Sequence, residues 1–257
     1  MKPFGSQESG QISDDAPPRQ TDDEVQWGDH CEQNKDNNLR IMGIQSDGLP
    51  HNNAHFKNDI ISECVNQHNP DVICFSECNV AWHKVEIEHR LGERMKDCFG
   101  TAFTQCAWYR KYPAQTTKRQ FGGCAIVILG NSVGRVVGSG SDPTGLGRWC
   151  WIRLQGKENS YIRIVSAYRP VKNEQYDNSV YSQQKTYLEA NKKFDLCPRA
   201  QFTEDLEKEI QHFKSKGDDV LLSLDLNEEV WDPLTQFAKA MITLCLSESI
   251  TGKHGTS

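Results

Sequence analysis

Acidic and amide side chains stand directly after two apolar runs of the sequence, where buried strands would end. Glu77 follows the run 71–76, and Asp225 and Asn227 follow the run 219–224. Mg²⁺ prefers oxygen ligands, so a carboxylate at a strand end can bind such a cation or simply face solvent. In an extended segment residues two apart point the same way, which would direct Asp225 and Asn227 at one site. There the carboxylate could take a proton from water while the amide orients it; an Asx turn that caps the strand is an equally consistent interpretation.

Phenolic and basic side chains follow two further segments. Tyr168 and Arg169 end an apolar run, and together they could donate to a phosphate oxygen, the guanidinium through two parallel hydrogen bonds. A tyrosine packed at a sheet edge with its hydroxyl in water is the plainer interpretation. The segment 108–112 interleaves aromatic residues with Arg110 and Lys111, a pattern suited to stacking on bases and contacting phosphates. An exposed hairpin tip whose charges prevent edge pairing fits that segment as well.

The first half of the chain has the pattern of a βαβ-like opening. Residues 39–44 are the first strand candidate, and residues 55–68 place apolar side chains at helical spacing. Asn69-Pro70 ends that helix, because the residue before proline is pushed out of the α region. The remaining elements of this half are a buried strand at 71–76, a helix at 80–97 and a buried strand at 123–129.

The second half of the chain has the pattern of a meander followed by helices. Three closely spaced strands, with turns rich in Gly, Ser, Asp and Pro between them, predict an antiparallel meander at 133–138, 148–154 and 161–167. Then come a helix at 179–193, a helix from a Thr203 N-cap to Gly217, a strand at 219–224 and a helix at 233–247 begun by Asp232-Pro233. This order predicts an α/β (α+β) fold, specifically a two-sheet α/β sandwich.

The negative charge of the chain is concentrated at its beginning. Residues 1–37 carry nine acidic and three basic residues, a net charge of −6, and the whole chain also has −6. With almost no aliphatic residues this segment cannot bury enough apolar surface to offset its ordering entropy. We therefore predict a disordered acidic tail and one domain at 38–257. The domain is neutral and lacks the positive field that drives strong non-specific nucleic-acid binding, so a polyanionic substrate must be held by a local basic patch and by metal.

Cysteines and apolar runs indicate the compartment. The sequence has neither a run of about 18 apolar residues nor an apolar secretory segment near its beginning, so no membrane partner is expected. Its ten cysteines are then expected to be reduced thiols of an intracellular protein, nuclear or cytoplasmic. Cys74 and Cys78 have C-x3-C spacing without a matching second pair, so structural zinc is not predicted. Cys74 and Cys124, inside apolar runs, are predicted to be small core residues.

Five segments occur in the order of similar segments in the endonuclease/exonuclease/phosphatase family. The chain resembles that family from about residue 39 to about residue 246. The similar segments are an opening strand and its N-x-x-G-L-like turn at 39–49, a P-D-I-I-x-x-x-E-like strand at 69–77, a G-G-x-A-I strand at 122–126, an x-x-Y-x-P segment at 165–170 and a G-D-x-N-like segment at 222–228. The tract 181–227 is also similar to non-LTR retroelement or protist versions of the domain. The resemblance implies a deoxyribonuclease-like sandwich.

The resemblance also implies a reaction, divalent-metal-dependent hydrolysis of a phosphodiester, with a nucleic acid as partner, DNA ahead of RNA, and endonucleolytic cleavage. Glu77 would bind Mg²⁺ or Mn²⁺ beside Gln45, which stands where the family has Asn and whose extra methylene moves the amide by about 1.5 Å. Asp225 would position or deprotonate the attacking water, Asn227 would orient that water or the phosphate, and Tyr168 would contact the phosphate. The candidate substrate-binding residues beside these are Arg169, Arg110 and Lys111.

The end of the sequence departs from the family pattern. The family ends with a strand and loop that bear a paired Asp-His, whereas His254 has no preceding Asp. We therefore expect a domain that is incomplete at its C-terminus and lacks its last strands. A catalytically impaired fragment is then an alternative function. A phosphomonoesterase of inositol phosphates or lipids is another, because the neutral domain has no strong basic groove.

Overall fold

The computed structural model describes residues 38–111, 117–173, 179–228 and 235–246, and these contain two four-stranded sheets. The first sheet consists of β1 (Ile41–Gln45), β2 (Val72–Ser76), β3 (Ala102–Ala107) and β4 (Cys124–Leu129), in the order β1-β2-β4-β3. The second consists of β5 (Val136–Ser141), β6 (Trp149–Gln155), β7 (Tyr161–Tyr168) and β8 (Asp219–Asp225), in that order. The α-helices are α1 (Phe56–His68), α2 (Leu91–Phe99), α3 (Val180–Ala190), α4 (Pro198–Ser215) and α5 (Gln236–Thr243). The predicted tail 1–37, Asp232-Pro233 and His254 lie outside the described residues.

Strand directions confirm both topological predictions. β1 and β2 run parallel and are joined by α1, so the described chain opens with a βαβ unit. β5, β6 and β7 pair antiparallel in sequence order, which is the predicted meander. β8 then pairs parallel to β7.

Apolar side chains form three clusters, one between the sheets and one on the outer face of each. The cluster between the sheets includes Val72, Cys74, Cys124, Ile126, Ile152 and Ile164. The first sheet packs its outer face against α1 and α2 through Ile61, Val65, Leu91 and Met95. The second sheet packs against α4 through Phe202, Leu206, Ile210 and Phe213. The predicted two-sheet α/β sandwich is therefore confirmed, and no helix within the described ranges is both long and apolar enough to span a bilayer.

The single helix predicted for 80–97 is wrong over its first half, where two 3₁₀ turns precede α2. The reason is pairing with a distant segment. Val80 forms a β-bridge with Arg119, and the backbone N–H of Ala81 donates to the carbonyl of Lys118 at 2.8 Å. Backbone groups committed to a distant partner are not available for helical hydrogen bonds.

Two further element predictions are corrected by the structure, and one strand was not predicted. α4 begins at Pro198 rather than near Thr203, whose hydroxyl donates to a carbonyl one turn earlier at 3.1 Å. The strand predicted for 133–138 begins only at Val136, because a 3₁₀ turn starts at Gly130 with a φ of 56°. β3 was not predicted at all, because its apolar and polar residues alternate only weakly. Its pairing with β4 along its whole length stabilises it as a strand.

The carboxyl ends of the parallel strands meet at one rim of the sandwich. β1 and β2 end side by side at Gln45 and Ser76, and β7 and β8 end side by side at Tyr168 and Asp225. A hydrogen bond between the sheets, from the Ser166 hydroxyl in β7 to a β2 carbonyl at 2.9 Å, fixes the two pairs of strand ends to each other. Side chains just beyond these ends therefore face a common space.

Candidate active site

Glu77 is the first residue beyond β2 and has a positive φ of 54°. A non-glycine residue in this left-handed region stores roughly 1–3 kcal/mol of strain, and such residues cluster at functional sites. Here the backbone carbonyl of Glu77 accepts a hydrogen bond from the N–H of Gly48 at 2.8 Å. The carboxylate accepts one from the Nε2 of Gln45 at 2.6 Å. The two predicted metal-site residues, Glu77 and Gln45, are thus in direct contact.

Asn79 also holds the carboxylate of Glu77 and is itself buried, with 7% of its surface exposed. Its side-chain amide lies close enough to the Glu77 carboxylate to lower the pKa of that group, while its Oδ1 accepts the backbone N–H of Gly122 at 2.7 Å. Asn79 therefore ties the glutamate to the turn that precedes β4.

Tyr168, at the end of β7, is only 5% exposed. Burial raises the pKa of its phenol well above the usual value, and the nearby carboxylates of Glu77 and Asp225 raise it further. The hydroxyl is therefore protonated at neutral pH and can donate a hydrogen bond. Tyr168, the predicted hydrogen-bond donor to phosphate, is thus close enough to both predicted carboxylates for their charges to affect its pKa.

Three carboxylates share this rim, those of Glu77, Asp47 and Asp225, and we call them the acidic centre. Burial raises the pKa of Glu77, and the negative charges of Asp47 and Asp225 raise it further. The amides of Gln45 and Asn79 oppose this shift. Burial likewise raises the pKa of Asp225. Within the described parts of the chain, none of the three carboxylates forms an ion pair with Lys or Arg. The acidic centre therefore carries negative charge that the described residues do not neutralise.

Asp47 was missed in the sequence analysis, although a signal was present. It follows Gln45 by two residues, the same spacing that relates Asp225 and Asn227. The Nζ of Lys57 in α1 donates to the carbonyls of three consecutive loop residues, 46–48, at 3.1, 2.8 and 3.1 Å. The loop that carries Asp47 is therefore anchored to the helix.

Asn227 does not continue β8 in an extended conformation. The strand ends at Asp225 and Asn227 has a φ of 50°, so the i, i+2 geometry assumed from the sequence is absent. Its backbone N–H lies close enough to the Asp225 carboxylate to lower the pKa of that group, which favours the Asx turn considered as the alternative. Its Nδ2 donates to the carbonyl of Arg169 at 2.8 Å. Asn227 thus joins the ends of β7 and β8 and orients Asp225.

The guanidinium of Arg169 is not brought into the acidic centre. The residue is 3% exposed, forms an ion pair with Glu228, and donates from Nε to the carbonyl of Arg199 at 3.4 Å. Arg199 pairs with Glu228 as well, at 3.3 Å. The charge of Arg169 is therefore used within the protein, where it braces the segments that follow β7 and β8.

Arg110 and Lys111 are exposed on the loop after β3 and lie on the same rim as the acidic centre. The end of β3 pairs with the start of β4, and that start lies beside the end of β2. β3 and β2 are therefore two strand spacings apart, about 10 Å. The guanidinium of Arg110 lies 5.4 Å from the ring centroid of Trp108 and donates to the Oγ of Ser141 at 3.1 Å.

An open pocket of about 180 Å³ adjoins the acidic centre. It lies between the turn before β4, the end of β7 and the start of α3. Its lining residues are Glu77, Asn79, Phe121, Tyr168, Val171, Asn173, Ser179, Val180 and Tyr181.

The donor groups of the acidic centre fit a hard divalent cation, because carboxylate and amide oxygens are the ligands that Mg²⁺ and Mn²⁺ prefer. In the part of the chain that the structure describes, no three His, Cys, Asp or Glu side chains are close enough to chelate an ion among themselves. Mg²⁺ often uses only one or two protein carboxylates and completes its octahedron with water and substrate phosphate. Glu77, with Gln45 and a second carboxylate beside it, suits that mode of binding.

Comparisons with known proteins concern the fold. No protein-family model matches the sequence, and no curated protein matches it either. Among solved structures, the human Nocturnin catalytic domain with a bound sulfate anion superposes with a TM-score of 0.52 at 14% identity, over 80% of this chain and 68% of that one. The 3′ phosphatase NExo from Neisseria, bound to a product DNA hairpin, superposes with a TM-score of 0.50 at 12% identity, over 80% of this chain and 71% of that one.

Proposed function

Because the chain has the deoxyribonuclease-like two-sheet fold of these structures, we propose that it hydrolyses phosphodiesters of nucleic acids with the help of a divalent cation, Mg²⁺ or Mn²⁺. The observation that carries the proposal is the acidic centre, where carboxylates gather beside a protonated phenol. Carboxyl groups whose pKa is raised by burial and by one another are a mark of functional sites.

Cation binding falls to the residues at the ends of β1 and β2. Glu77 and Asp47, with the amide of Gln45, would hold the ion. When bound, such an ion supplies positive charge to the phosphate oxygens. Asn79, held by the backbone N–H of Gly122, places its amide beside the Glu77 carboxylate and favours the ionised form of that group.

Proton transfer and phosphate positioning fall to the residues at the ends of β7 and β8. The raised pKa of Asp225 makes it a better proton acceptor near neutral pH than a solvated carboxylate, so it positions or deprotonates the attacking water. Asn227 orients Asp225 and, through it, the water. The protonated hydroxyl of Tyr168 donates to a phosphate oxygen, and its near burial keeps that donor oriented.

We assign DNA as the first substrate class and endonucleolytic cleavage as the reaction. The exposed cations of Arg110 and Lys111, beside the ring of Trp108, supply phosphate and base contacts on the same rim. Arg169 contributes indirectly, by bracing the segment that carries Asn227. The product DNA hairpin in the NExo structure provides a precedent on this fold.

The test uses the full chain and plasmid DNA, with Mg²⁺ or Mn²⁺ and with EDTA. We expect nicking that depends on the cation and falls by on the order of 10²-fold or more in both Glu77→Gln and Asp225→Asn. Glu204→Gln removes an exposed carboxylate that pairs with Lys208 on α4, and it serves as the matched control with an unchanged rate. Equal rates in Glu77→Gln and in the wild type would overturn the assignment.

A phosphomonoesterase is the second candidate, favoured by the open pocket of about 180 Å³ beside the centre, which can receive a terminal group. NExo is described as a 3′ phosphatase. A 3′-phosphorylated oligonucleotide and an inositol phosphate, assayed in parallel with the plasmid, separate the candidates. Release from the inositol phosphate alone would change the substrate class. No cation-dependent hydrolysis of any of them would refute the activity and favour the catalytically impaired alternative.

A further inference from the structure

The lining of the pocket beside the acidic centre is partly polar and partly apolar. Glu77 and Tyr168 contribute polar groups, while Phe121, Val171 and Val180 contribute apolar surface. Phe121 is 40% exposed and Val171 is 51% exposed. Apolar side chains that are gathered at the mouth of a pocket, rather than scattered singly over a surface, mark a place where a ligand covers them.

The sequence builds this apolar surface by close packing of three segments. Gly122 has a φ of 74°, and a Cβ at this position would lie 3.1 Å from Val180 and 3.7 Å from Tyr168. The missing side chain therefore lets the start of α3 approach the end of β7. Tyr181 also lines the pocket but is only 5% exposed, and its hydroxyl lies 3.8 Å from the Sγ of Cys197.

The size of the pocket limits what can enter it. An apolar cavity of about 150 Å³ holds a single benzene ring. A pocket of about 180 Å³ that is open to solvent therefore accepts one planar ring system.

We propose that this pocket binds one unpaired nucleobase of the nucleotide whose phosphate reaches the acidic centre, so that the substrate class is single-stranded or unpaired nucleic acid. This inference rests on the proposed function. Aromatic side chains stack on the flat face of any base, which favours a base over an acyl chain. A polyol such as inositol would instead need hydroxyl partners where Phe121, Val171 and Val180 stand.

The binding test uses the full chain in EDTA and compares thymidine with 2-deoxyribose by ligand-observed NMR. Neither probe has a phosphate, so neither is hydrolysed or repelled by the carboxylates. We expect saturable binding of thymidine only. Phe121→Ala should weaken that binding by roughly 5- to 150-fold, the range for loss of one base–aromatic stack. Phe121→Trp should retain it.

Phe194→Ala is the matched control, since Phe194 is 67% exposed and does not line the pocket. Phe121 is itself outside the core clusters, so Phe121→Ala should fold, and its melting temperature verifies this. Equal binding of the two probes by the wild type, or full retention in Phe121→Ala, would overturn the inference. Tighter binding of phosphoinositide vesicles than of thymidine-containing single strands would do the same.

A kinetic arm separates this inference from the proposed function. A single-stranded oligonucleotide with one abasic residue beside the cleaved bond should show a kcat/KM reduced by a similar factor in the wild type, and little changed in Phe121→Ala. Thymidine binding without any hydrolysis would refute the function and leave the pocket assignment intact. Hydrolysis at the same rate with and without the abasic residue would refute the pocket assignment and leave the proposed function intact.

Discussion

Removing Asp142 is expected to destabilise the folded protein close to the candidate active site, because Asp142 forms a buried ion pair with Arg148. The side chains are 0% and 1% exposed, and two hydrogen bonds join them, Nε to Oδ2 at 2.7 Å and Nη2 to Oδ1 at 3.1 Å. The backbone carbonyl of Arg148 also accepts the N–H of Tyr168 at 3.0 Å. The pair therefore supports the residue that we assign as phosphate donor.

The magnitude follows from the contacts that remain. Breaking a buried ion pair by removing one partner costs about 3–5 kcal/mol, because a charge is left uncompensated. Arg148 keeps a second partner, Asp205, at 2.8 Å and with 25% of its side chain exposed. We therefore expect the lower end for Asp142→Ala, about 3 kcal/mol, which lowers Tm by about 6–12 °C in a domain of this size.

Thermal and urea unfolding of matched variants test this expectation. Asp205→Ala should lose less stability than Asp142→Ala, because its carboxylate is partly solvated. The double variant Asp142→Leu/Arg148→Met should be more stable than Asp142→Ala, since no charge remains buried. A loss below about 1 kcal/mol in Asp142→Ala, or a double variant as unstable as both single changes added together, would refute the reasoning.

Three other substitutions have expected outcomes. Glu77→Gln should raise the Tm of cation-free protein at pH 7 by about a few °C, since the folded state raises the pKa of Glu77 and so disfavours its ionised form. That gain in Tm should vanish below pH 4.5, the ordinary pKa of a glutamate, because Glu77 is then protonated in both the folded and the unfolded state. A gain that persists at pH 3.5 contradicts this expectation. Arg110→Ala should weaken single-stranded DNA binding and reduce its log K–log salt slope by about 0.7, whereas Arg135→Ala leaves the slope unchanged. Gly147→Ala, whose Cβ would lie 2.5 Å from neighbouring backbone, should lower Tm more than Gly134→Ala, which has nothing within 4 Å.

The strands that carry the site could be predicted because burial leaves a strong signal in their sequences. Every residue of β2 and β4 is buried, and both had been predicted as short apolar runs between turn residues. The gathering of Glu77, Tyr168 and Asp225 could then be anticipated from the family resemblance. The structure supplies the physical cause, since parallel strands end at a common edge.

Features that depend on distant partners could not be predicted. Phe56 and Ile60 sit at helical spacing in α1 yet are 64% and 57% exposed, because the helix packs through Ile61 and Val65. The engagement of Arg169 by Glu228 joins residues 59 positions apart, and nothing local in the sequence signals it. The apolar pocket is assembled from three separate segments for the same reason.

The central claim is that Glu77, with Asp47 and Gln45 beside it, binds one divalent cation, and calorimetric titration of the full chain with Mn²⁺ tests it most directly. The account predicts one cation bound per chain. At about 100 times its Kd the ion should contribute about 2.7 kcal/mol of stability and raise Tm by about 5–11 °C. Both effects should be lost in Glu77→Gln and kept in Glu204→Gln. A wild-type chain that binds no cation, or a Glu77→Gln variant that binds it as tightly as the wild type, would contradict the account.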